Sequence, residues 1–322
     1  MKVTKQMLNE GLRSRLMILK VITLVFRYKP IAKLFDALNS RSIGKDVEGL
    51  KCEEVYVPSS DGSHSIRVRI YRPPNHDGEL PAMLYLHGGG YLFGNPEFAS
   101  DFYRESISKR PCVIVAPDYR KAYTKPYPGA FDDCYDTLLW VKDNAASLGV
   151  TPDRIMVAGH SAGGGLTAAV TLKARDTGDV NIAFQMPIYP MIDDRQPDDP
   201  ERAIDTFGWD TEANRIGWNA YLADLKRLGA KIPAYAAPAR NSDYRGMPPT
   251  ITFVGTMEPF YWETVAYAEG IKEAGIDVAF EQYQGCYHAF ELMMPGADVS
   301  QAAQAFLFEN YARFYDKYVA AA

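Results

Sequence analysis

The five residues 159–163, Gly-His-Ser-Ala-Gly, have the types and spacing that most clearly indicate chemistry. They follow an apolar run at 155–158, typical of a buried strand, and precede a stretch of mostly small residues at 164–169, typical of a helix. A serine at such a sharp turn has a strained backbone that lifts its hydroxyl clear of the sheet, and the flanking glycines let strand and helix pass closely. The helix N-terminus also favours a developing negative charge. The pattern predicts that Ser161 is the nucleophile of an acyl transfer.

A run of three glycines, Gly88 to Gly90, follows His87 directly after an apolar segment. Consecutive glycines leave their backbone N–H groups unobstructed, so such a loop can surround an oxyanion. We expect the N–H groups of Gly88, Gly89 and Ala162 to form the oxyanion hole, and His87 to orient the loop. The alternative is a phosphate-binding loop, but neither Gly-Lys-Ser/Thr nor GxGxxG follows the glycines.

A serine hydroxyl needs a neighbouring base, and histidine suits that role because its unperturbed pKa of about 6.5 lies near neutrality. The chain has five histidines, one of which is His87. His64 and His76 lie in turn-like segments, and His160 occupies the variable position of the serine turn, where we expect it to point away from the hydroxyl. His288 follows the last predicted strand, as the order serine, acid, histidine requires. We therefore predict that His288 is the general base.

The imidazole needs a carboxylate that orients it and stabilises its charged form. The expected place is the loop after the apolar run 250–254, where Glu258 lies 30 residues before His288. Glu263 is the alternative, although we expect it in the first turn of the following helix as a capping carboxylate. We predict that Glu258 is the acid.

Eight segments that must position these residues are predicted to be strands. Two of them, 54–57 and 65–71, alternate polar and apolar residues as half-exposed antiparallel strands do. Six more are apolar runs separated by helical stretches, which indicates a mostly parallel sheet covered on both faces. These six are 82–86, 112–116, 155–158, 182–188, 250–254 and 278–283. The expected helices are 97–109, 131–147, 164–177, 262–274 and 300–318.

The long stretch between residues 188 and 250 lacks a convincing strand. An insertion at this place is expected to lie over the carboxyl ends of the strands, where an open α/β sheet has its site. We therefore predict a cap made of residues 193–245 with an N-terminal helical segment, 1–50, on a catalytic domain of residues 51–322. Trp209, Trp218 and Tyr221 are expected to form the core of the cap, with substrate contact as the alternative.

The composition narrows the class of protein. Of 322 residues, 23% are charged, the formal net charge is −5, and no basic run occurs, which argues against nucleic-acid binding. The four cysteines lack CxxC spacing and no secretory signal is apparent, which favours free thiols in a reducing cytoplasm.

The apolar segment 16–26 is shorter than the roughly 20 residues that span a membrane. We expect it to form an amphipathic helix packed on the protein, with shallow membrane association as the alternative.

Together these motifs resemble the bacterial hormone-sensitive-lipase-like esterases (family IV) of the α/β-hydrolase superfamily, from about residue 53 to the C-terminus. The matching segments are HGGG at 87–90, Asp-Tyr-Arg at 118–120, Pro-Tyr-Pro at 126–128, Asp-Asp at 132–133, GHSAGG at 159–164, the cap segment 214–222 and Tyr-His-Ala-Phe at 287–290. The family usually has Asp-Pro where this chain has Glu258-Pro259. At the position before the nucleophile, the family more often has an acidic residue, whereas this chain has His160.

The resemblance implies an α/β-hydrolase fold, with a central, mostly parallel eight-stranded sheet flanked by helices and a helical cap. It also implies hydrolysis of small-molecule carboxylic esters with short or medium acyl chains, without a metal or organic cofactor. Ser161 would form an acyl-enzyme that water, activated by His288, then hydrolyses. A homodimer formed through an edge strand or the last helix is compatible with the fold, and stable membrane insertion is not expected.

Apolar side chains near the motifs are candidates for the wall of a substrate pocket, with ordinary core packing as the alternative. These candidates are Tyr91, Leu92, Phe93, Trp218 and Phe290.

Two other functions are open on the same fold. A small-molecule receptor would be expected to have lost a triad member, and an amidase or peptidase is permitted by the triad chemistry although nothing suggests a peptide-binding domain.

Overall fold

The structure, a computed structural model, describes residues 1–26, 40–76 and 78–320. Within them, eight strands form one sheet in the order β1-β2-β4-β3-β5-β6-β7-β8. The strands are β1 (Lys51–Pro58), β2 (Ser65–Arg72), β3 (Leu80–Leu86), β4 (Val113–Pro117), β5 (Val150–His160), β6 (Ile182–Ile188), β7 (Thr250–Gly255) and β8 (Val278–Tyr283). β2 pairs antiparallel with β1 and β4, and the other neighbouring pairs are parallel. The predicted eight-stranded, mostly parallel sheet is confirmed.

The centre of the sheet is covered on both faces. Every residue of β3, β4 and β7 is buried, whereas most of β1 is exposed or half-buried. Along β3, Leu84 and Leu86 belong to one hydrophobic cluster, and Met83 and Tyr85 belong to another. Because successive side chains of a strand point to opposite faces, the two clusters lie on opposite sides of the sheet.

Helices complete both clusters. Their bounds are α1 (Leu16–Phe26), α2 (Ser100–Lys109), α3 (Gly129–Asp143), α4 (Ala145–Leu148), α5 (Ala162–Thr177), α6 (Thr211–Tyr221), α7 (Ala223–Arg227), α8 (Tyr261–Glu273), α9 (Phe290–Met293) and α10 (Asp298–Tyr315). Leu138 of α3 and Val170 of α5 belong to the cluster that contains Leu84. Ile107 of α2 and Leu307 of α10 belong to the opposite cluster. This α/β/α layering confirms the predicted fold class.

Two elements differ from the sequence-based expectation. The helix expected at 131–147 is divided into α3 and α4 at Asn144, whose side-chain amide donates to the Trp140 carbonyl at 2.9 Å. Asparagine competes for backbone partners in this way and so interrupts helices. β5 begins at Val150 rather than at 155, because Val150 pairs with Leu80 beyond an irregularity in the register.

The segment predicted to form the cap contains α6 and α7. Trp218 and Tyr221 of α6 are buried, and the Tyr221 ring stacks on Tyr91 with centroids 4.0 Å apart. The chain's N-terminus lies against the same segment, since the Val3 N–H donates to the Asp205 carbonyl at 2.9 Å and Lys20 forms an ion pair with Asp205. Residues 27–39 of the N-terminal segment predicted at 1–50 lie outside the described residues, as do residues 77, 321 and 322.

Helix α1 covers the apolar segment expected to be amphipathic. Leu19 is buried, while Met17, Ile18 and Val21 are exposed. Among the residues with a described structure, we found no helix that combines the length and the apolar character needed to cross a membrane.

Candidate active site

Ser161 lies at the turn between β5 and α5 with a positive φ of 58° and a ψ of −120°. This is a costly conformation for a residue with a side chain, on the order of 1–3 kcal/mol, and it persists only where the surroundings fix it. The Ser161 N–H donates to the Ile188 carbonyl at 3.0 Å, and the Ser161 carbonyl accepts from the N–H groups of Gly165 at 2.9 Å and Met191 at 3.0 Å. Backbone groups at the end of β6, just after it and in the first turn of α5 therefore hold the serine in place.

The glycines around the serine are required by close backbone contacts. A Cβ on Gly159 would lie 2.4 Å from the Gly163 carbonyl oxygen, and one on Gly163 would lie 2.0 Å from that of Leu86. Both distances are far shorter than a real Cβ contact. The sequence-based expectation that these glycines let strand and helix pass closely is confirmed.

His288 follows β8 and joins Ser161 to Glu258. Its Nε2 lies 2.9 Å from Ser161 Oγ, and its Nδ1 is hydrogen-bonded to Glu258 Oε2. The other carboxylate oxygen, Oε1, accepts from the Gly255 N–H at 3.0 Å. An ionised carboxylate can only accept, so the imidazole proton lies on Nδ1 and Nε2 can receive the serine proton. All three side chains are buried, with 9% of Ser161, 2% of Glu258 and 6% of His288 exposed.

The His288 ring is fixed by aromatic neighbours as well as by its hydrogen bonds. The rings of Phe260 and Tyr189 meet it edge-on, each with centroids 4.8 Å away. Such edge-to-face contacts hold the imidazole plane in one orientation. The ring is therefore preorganised between the serine and the carboxylate.

Glu263 lies in the first turn of α8, as expected, but its carboxylate has different partners. Its Oε1 accepts from the N–H groups of Ile192 at 2.7 Å and Asp193 at 3.0 Å. Burial raises the pKa of Glu263 well above its ordinary value. The structure thus brings Glu258, and not Glu263, to His288.

The glycine loop 88–90 lies beside the nucleophile, because a Cβ built on Gly88 would be 3.5 Å from Ser161 Cβ. The Gly89 carbonyl accepts from the N–H groups of Leu92 at 2.9 Å and Phe93 at 3.2 Å, which closes the loop. Among the hydrogen bonds of the described residues, none is donated by the N–H of Gly88 or Gly89. The first N–H groups of α5, beginning with Ala162, also lack intrahelical partners by the geometry of a helix start. These donors are available to an oxyanion.

His87 supports the loop from behind. Its ring stacks on Tyr119 with centroids 4.0 Å apart, and its Nδ1 lies 2.8 Å from the Gly88 carbonyl oxygen, to which it must donate. Its Nε2 then accepts from the Lys121 ammonium at 3.1 Å. Burial, together with the Lys121 charge, lowers the pKa of His87 to about 3. A neutral His87 that orients the loop agrees with the sequence-based expectation.

His160 is buried next to the nucleophile, and its Nδ1 lies 2.8 Å from the Tyr85 hydroxyl. Burial, with a smaller effect of the nearby His288, lowers the pKa of His160 to about 3. The imidazole is therefore neutral, and one of its nitrogens is engaged away from the serine hydroxyl. Its ring nevertheless lines the cavity beside Ser161, which the sequence-based expectation for this position did not include.

A cavity of about 500 Å³ opens beside Ser161 and His288. Its apolar wall consists mainly of Phe93, Phe98, Phe102, Trp209, Leu292 and Met293. Of the five side chains predicted for the pocket, only Phe93 lines this cavity. Ring packing and burial place the other four elsewhere, contrary to the prediction.

These four side chains belong to the hydrophobic core. Tyr91, Leu92 and Trp218 are buried in the cluster that contains Leu84, and Phe290 is buried in the opposite cluster. The Tyr91 hydroxyl donates to the Met191 carbonyl at 3.0 Å, which fixes the ring away from the cavity. Trp209 lies over the glycine loop instead, since a Cβ on Gly90 would be 2.3 Å from its ring. Spacing along the sequence does not reveal which of two neighbouring aromatic rings faces the serine.

The cysteines and the other potential metal ligands are the candidates for a second centre. All four cysteines are free thiols, and Cys112, Cys134 and Cys286 are buried. Among the residues that the structure describes, no cluster of three or more His, Cys, Asp or Glu side chains is arranged to hold a metal ion.

Known proteins resemble this chain in sequence and in fold. The model of a family with the α/β-hydrolase fold matches residues 83–292. Carboxylesterase NlhH of Mycobacterium tuberculosis is 35% identical over 253 residues, which are 74% of this chain and 76% of the relative. Esterase LipI of the same species is 32% identical over 231 residues, 70% of this chain and 71% of LipI. A solved bacterial heroin esterase superposes with a TM-score of 0.86 at 31% identity, covering 97% of this chain and 99% of that one.

Proposed function

The chain belongs to the bacterial hormone-sensitive-lipase-like esterases of the α/β-hydrolase superfamily, and we propose that it works as a serine carboxylesterase through Ser161, His288 and Glu258. It is a carboxylic ester hydrolase, and its substrates are small-molecule esters. The observation that carries the residue assignment is the pair of hydrogen bonds made by His288, one from Nε2 to Ser161 Oγ at 2.9 Å and one from Nδ1 to Glu258.

The reaction has two halves. Ser161 Oγ attacks the ester carbonyl carbon while its proton passes to His288 Nε2, and Glu258 stays ionised and stabilises the imidazolium. When the tetrahedral intermediate collapses, the bond to the alcohol breaks and His288 gives its proton to the departing oxygen. Water then attacks the acyl-enzyme carbonyl carbon while His288 Nε2 takes its proton. The bond to Ser161 Oγ breaks, the proton returns to that oxygen, and the acid is released.

The oxyanion of each tetrahedral intermediate would be bound by the N–H groups of Gly88, Gly89 and Ala162. These groups lie at the end of β3 and at the start of α5, next to the nucleophile, and the first two have no acceptor within the described part of the chain. Preorganised donors of this kind typically contribute about 2.7–4 kcal/mol each to the transition state. His87 keeps the loop in the receptive shape through its bond to the Gly88 carbonyl.

Substrate selection would come from the cavity between the sheet and the residues of the cap, 193–245. Trp209 from this segment and Phe93, which follows the glycine loop by three residues, form part of an apolar wall. The volume of about 500 Å³ suits esters of short and medium acyl chains. No metal or organic cofactor takes part in the proposed steps.

The surroundings of the protein are part of the same proposal. We propose a cytoplasmic location, which the four free thiols favour because disulfides are rare in reducing compartments.

We also propose a homodimer through β8 or α10, since β8 is at the edge of the sheet and an edge strand exposes backbone groups that can pair. Sedimentation velocity would test the dimer, and a purely monomeric chain at micromolar concentration would refute it.

Hydrolysis of p-nitrophenyl butyrate by the wild type and by Ser161→Ala tests the proposed function. We expect activity in the wild type and a loss of about 10³-fold or more in the variant. Circular dichroism on both proteins controls for folding. A folded wild type that hydrolyses no ester would instead favour a binding protein on this fold.

A further inference from the structure

We propose that the substrate pocket continues past Phe102 and Leu292 into a second cavity between α2 and α10, and that these two side chains set the length of the ester arm that the enzyme accepts. The inference rests on the proposed function, because it concerns the same serine. It adds a second subsite and names the residues that separate it from the first.

The two cavities share part of their walls. The second cavity also measures about 500 Å³, and Asp101, Phe102, His160 and Leu292 line both. Because the same four residues border each space, these side chains stand between the cavity at Ser161 and the one beyond it. A substrate arm that passes them would enter the second cavity.

The second cavity suits an aliphatic arm whose far end reaches water. Ala305, Leu307 and Phe308 of α10 give it an apolar side, while Arg104 and Lys109 of α2 bring charged groups to it. A chain of methylene groups can lie along the apolar side, and a polar or solvated end can lie near the charges.

Among the described residues that line the second cavity, the buried titratable groups, His160 and Glu291, do not oppose an apolar arm at the junction. Burial raises the pKa of Glu291, which lines the second cavity, to about 8. Burial likewise lowers the pKa of His160 to about 3. Both groups are therefore mainly neutral at neutral pH, so an aliphatic chain can pass them without displacing the solvation of an ion.

The two separating side chains differ in how firmly they are held. Phe102 packs against the rings of Tyr85, His160 and Phe308, with centroids 4.9, 5.2 and 5.7 Å away. Leu292 lies on the short helix α9 and is 57% exposed. Leu292 can thus be truncated with little loss of packing, and it is the better place to open the passage.

The test compares kcat/KM for octanoate and butyrate esters. We expect Leu292→Ala to raise the octanoate-to-butyrate ratio at least tenfold, because each methylene that leaves water contributes about fourfold. Adding Ala305→Trp, which fills the second cavity from α10, should return the ratio to that of the wild type. Leu228→Ala is the matched control, since Leu228 is 67% exposed and lines neither cavity.

The measurement is made on two series, p-nitrophenyl alkanoates for the acyl arm and alkyl acetates (butyl against octyl) for the alcohol arm. A gain in either series that Ala305→Trp removes supports the second subsite and identifies the arm. The inference is overturned if Leu292→Ala leaves both ratios within about twofold of the wild type, or if the gain survives Ala305→Trp. A wild type inactive on every ester would refute the proposed function instead, so the two failures are distinguishable.

Discussion

At the scale of the residue, two buried glutamates five positions apart in the chain do different work. Glu258 is bonded to His288 and to the Gly255 N–H, while Glu263 accepts from two backbone N–H groups at 192 and 193. Each carboxylate is needed where it lies, but only the first touches the base. The difference follows from position, because Glu258 lies in the loop directly after β7 and Glu263 lies in the first turn of α8.

Exchanging each glutamate for glutamine separates these roles. We expect Glu258→Gln to lower kcat by roughly 10³- to 10⁴-fold, because an amide next to His288 Nδ1 favours the wrong tautomer of the ring. Glu263→Gln keeps an acceptor for both N–H groups and should change kcat less than about tenfold. The measurement is steady-state hydrolysis of p-nitrophenyl butyrate, and equal losses in the two variants would remove Glu258 from its assigned role.

The buried Glu291 predicts a dependence of stability on pH. Burial raises its folded pKa from an ordinary value of 4.5 to about 8, although the bond from the Tyr189 hydroxyl opposes the shift. The folded state therefore holds a proton that the unfolded state loses between about pH 4.5 and 8. The contribution of this group to stability is complete below about pH 4.5 and is lost as the pH rises through 8.

Glu291→Gln should remove that dependence. We expect the free energy of unfolding of the variant, relative to the wild type, to increase between pH 5 and pH 8 in urea titrations. Glu309→Gln, at an exposed position of α10, is the control and should show no such trend. A difference between Glu291→Gln and wild type that stays constant over this range would contradict the protonated state of Glu291.

Single residues also show how far the sequence could be interpreted. Ser161, His288 and Glu258 were identifiable because their chemistry requires particular residue types in a fixed order along the chain, and the structure brings all three together. The pocket wall was less accessible to this reasoning. Tyr91 and Phe93 are two positions apart, yet only Phe93 lines the cavity, because the positive φ of 64° at Tyr91 and its bond to Met191 turn the ring into the core.

At the scale of the element, the turn from β5 to α5 is built from backbone contacts. Gly163 lies so close to β3 that its Cβ would be 2.0 Å from the Leu86 oxygen and 2.5 Å from that of His87. The serine turn and the glycine loop are thus packed directly on each other. This contact relates the nucleophile to the oxyanion donors without any intervening side chain.

Gly163→Ala tests this contact. The added methyl group must push β3 and α5 apart, so we expect a loss of about 1–3 kcal/mol in the free energy of unfolding, and lower activity. Gly296→Ala is the matched control, because a Cβ there would meet nothing within 4 Å. Its stability should stay within about 0.5 kcal/mol of the wild type. Urea unfolding measures both, and equal stabilities of the two variants would argue against the tight contact.

The elements themselves were predictable to different degrees. The buried strands were clear from their apolar runs, since a parallel sheet covered on both faces needs continuous apolar segments. The start of β5 at Val150 was not, because residues 151–154, Thr-Pro-Asp-Arg, form no apolar run and are half-exposed or exposed despite belonging to the strand. The break between α3 and α4 depends on one side-chain bond of Asn144, which periodicity does not reveal.

At the scale of the whole molecule, the site lies where the sheet, the glycine loop and residues 193–245, the proposed cap segment, meet. Trp209 from the cap segment and Leu292 from α9 line the same cavity as Ser161. The N-terminus is bonded to the cap segment at Asp205. The size of the cavity is therefore a property of the assembled fold and is not encoded in any one motif.

The cavity predicts the chain-length profile of the wild type. With Phe102 and Leu292 standing at its far side, we expect acetate to hexanoate esters to be hydrolysed faster than esters with chains beyond about ten carbons. A p-nitrophenyl ester series measures the profile as kcat/KM. A clear preference for the long chains would contradict a restriction at Phe102 and Leu292.

Covalent trapping of the nucleophile tests the central claim most directly. The protein is treated with diethyl p-nitrophenyl phosphate, and the modified residue is located by peptide mass spectrometry while the remaining esterase activity is followed. The account predicts one diethylphosphoryl group per chain, on Ser161, and a loss of activity in proportion to the modified fraction. Ser161→Ala should not be modified at this position, and folded His288→Ala should be modified more slowly than the wild type. Full activity in a protein modified at Ser161, or inactivation through a different residue, would contradict it.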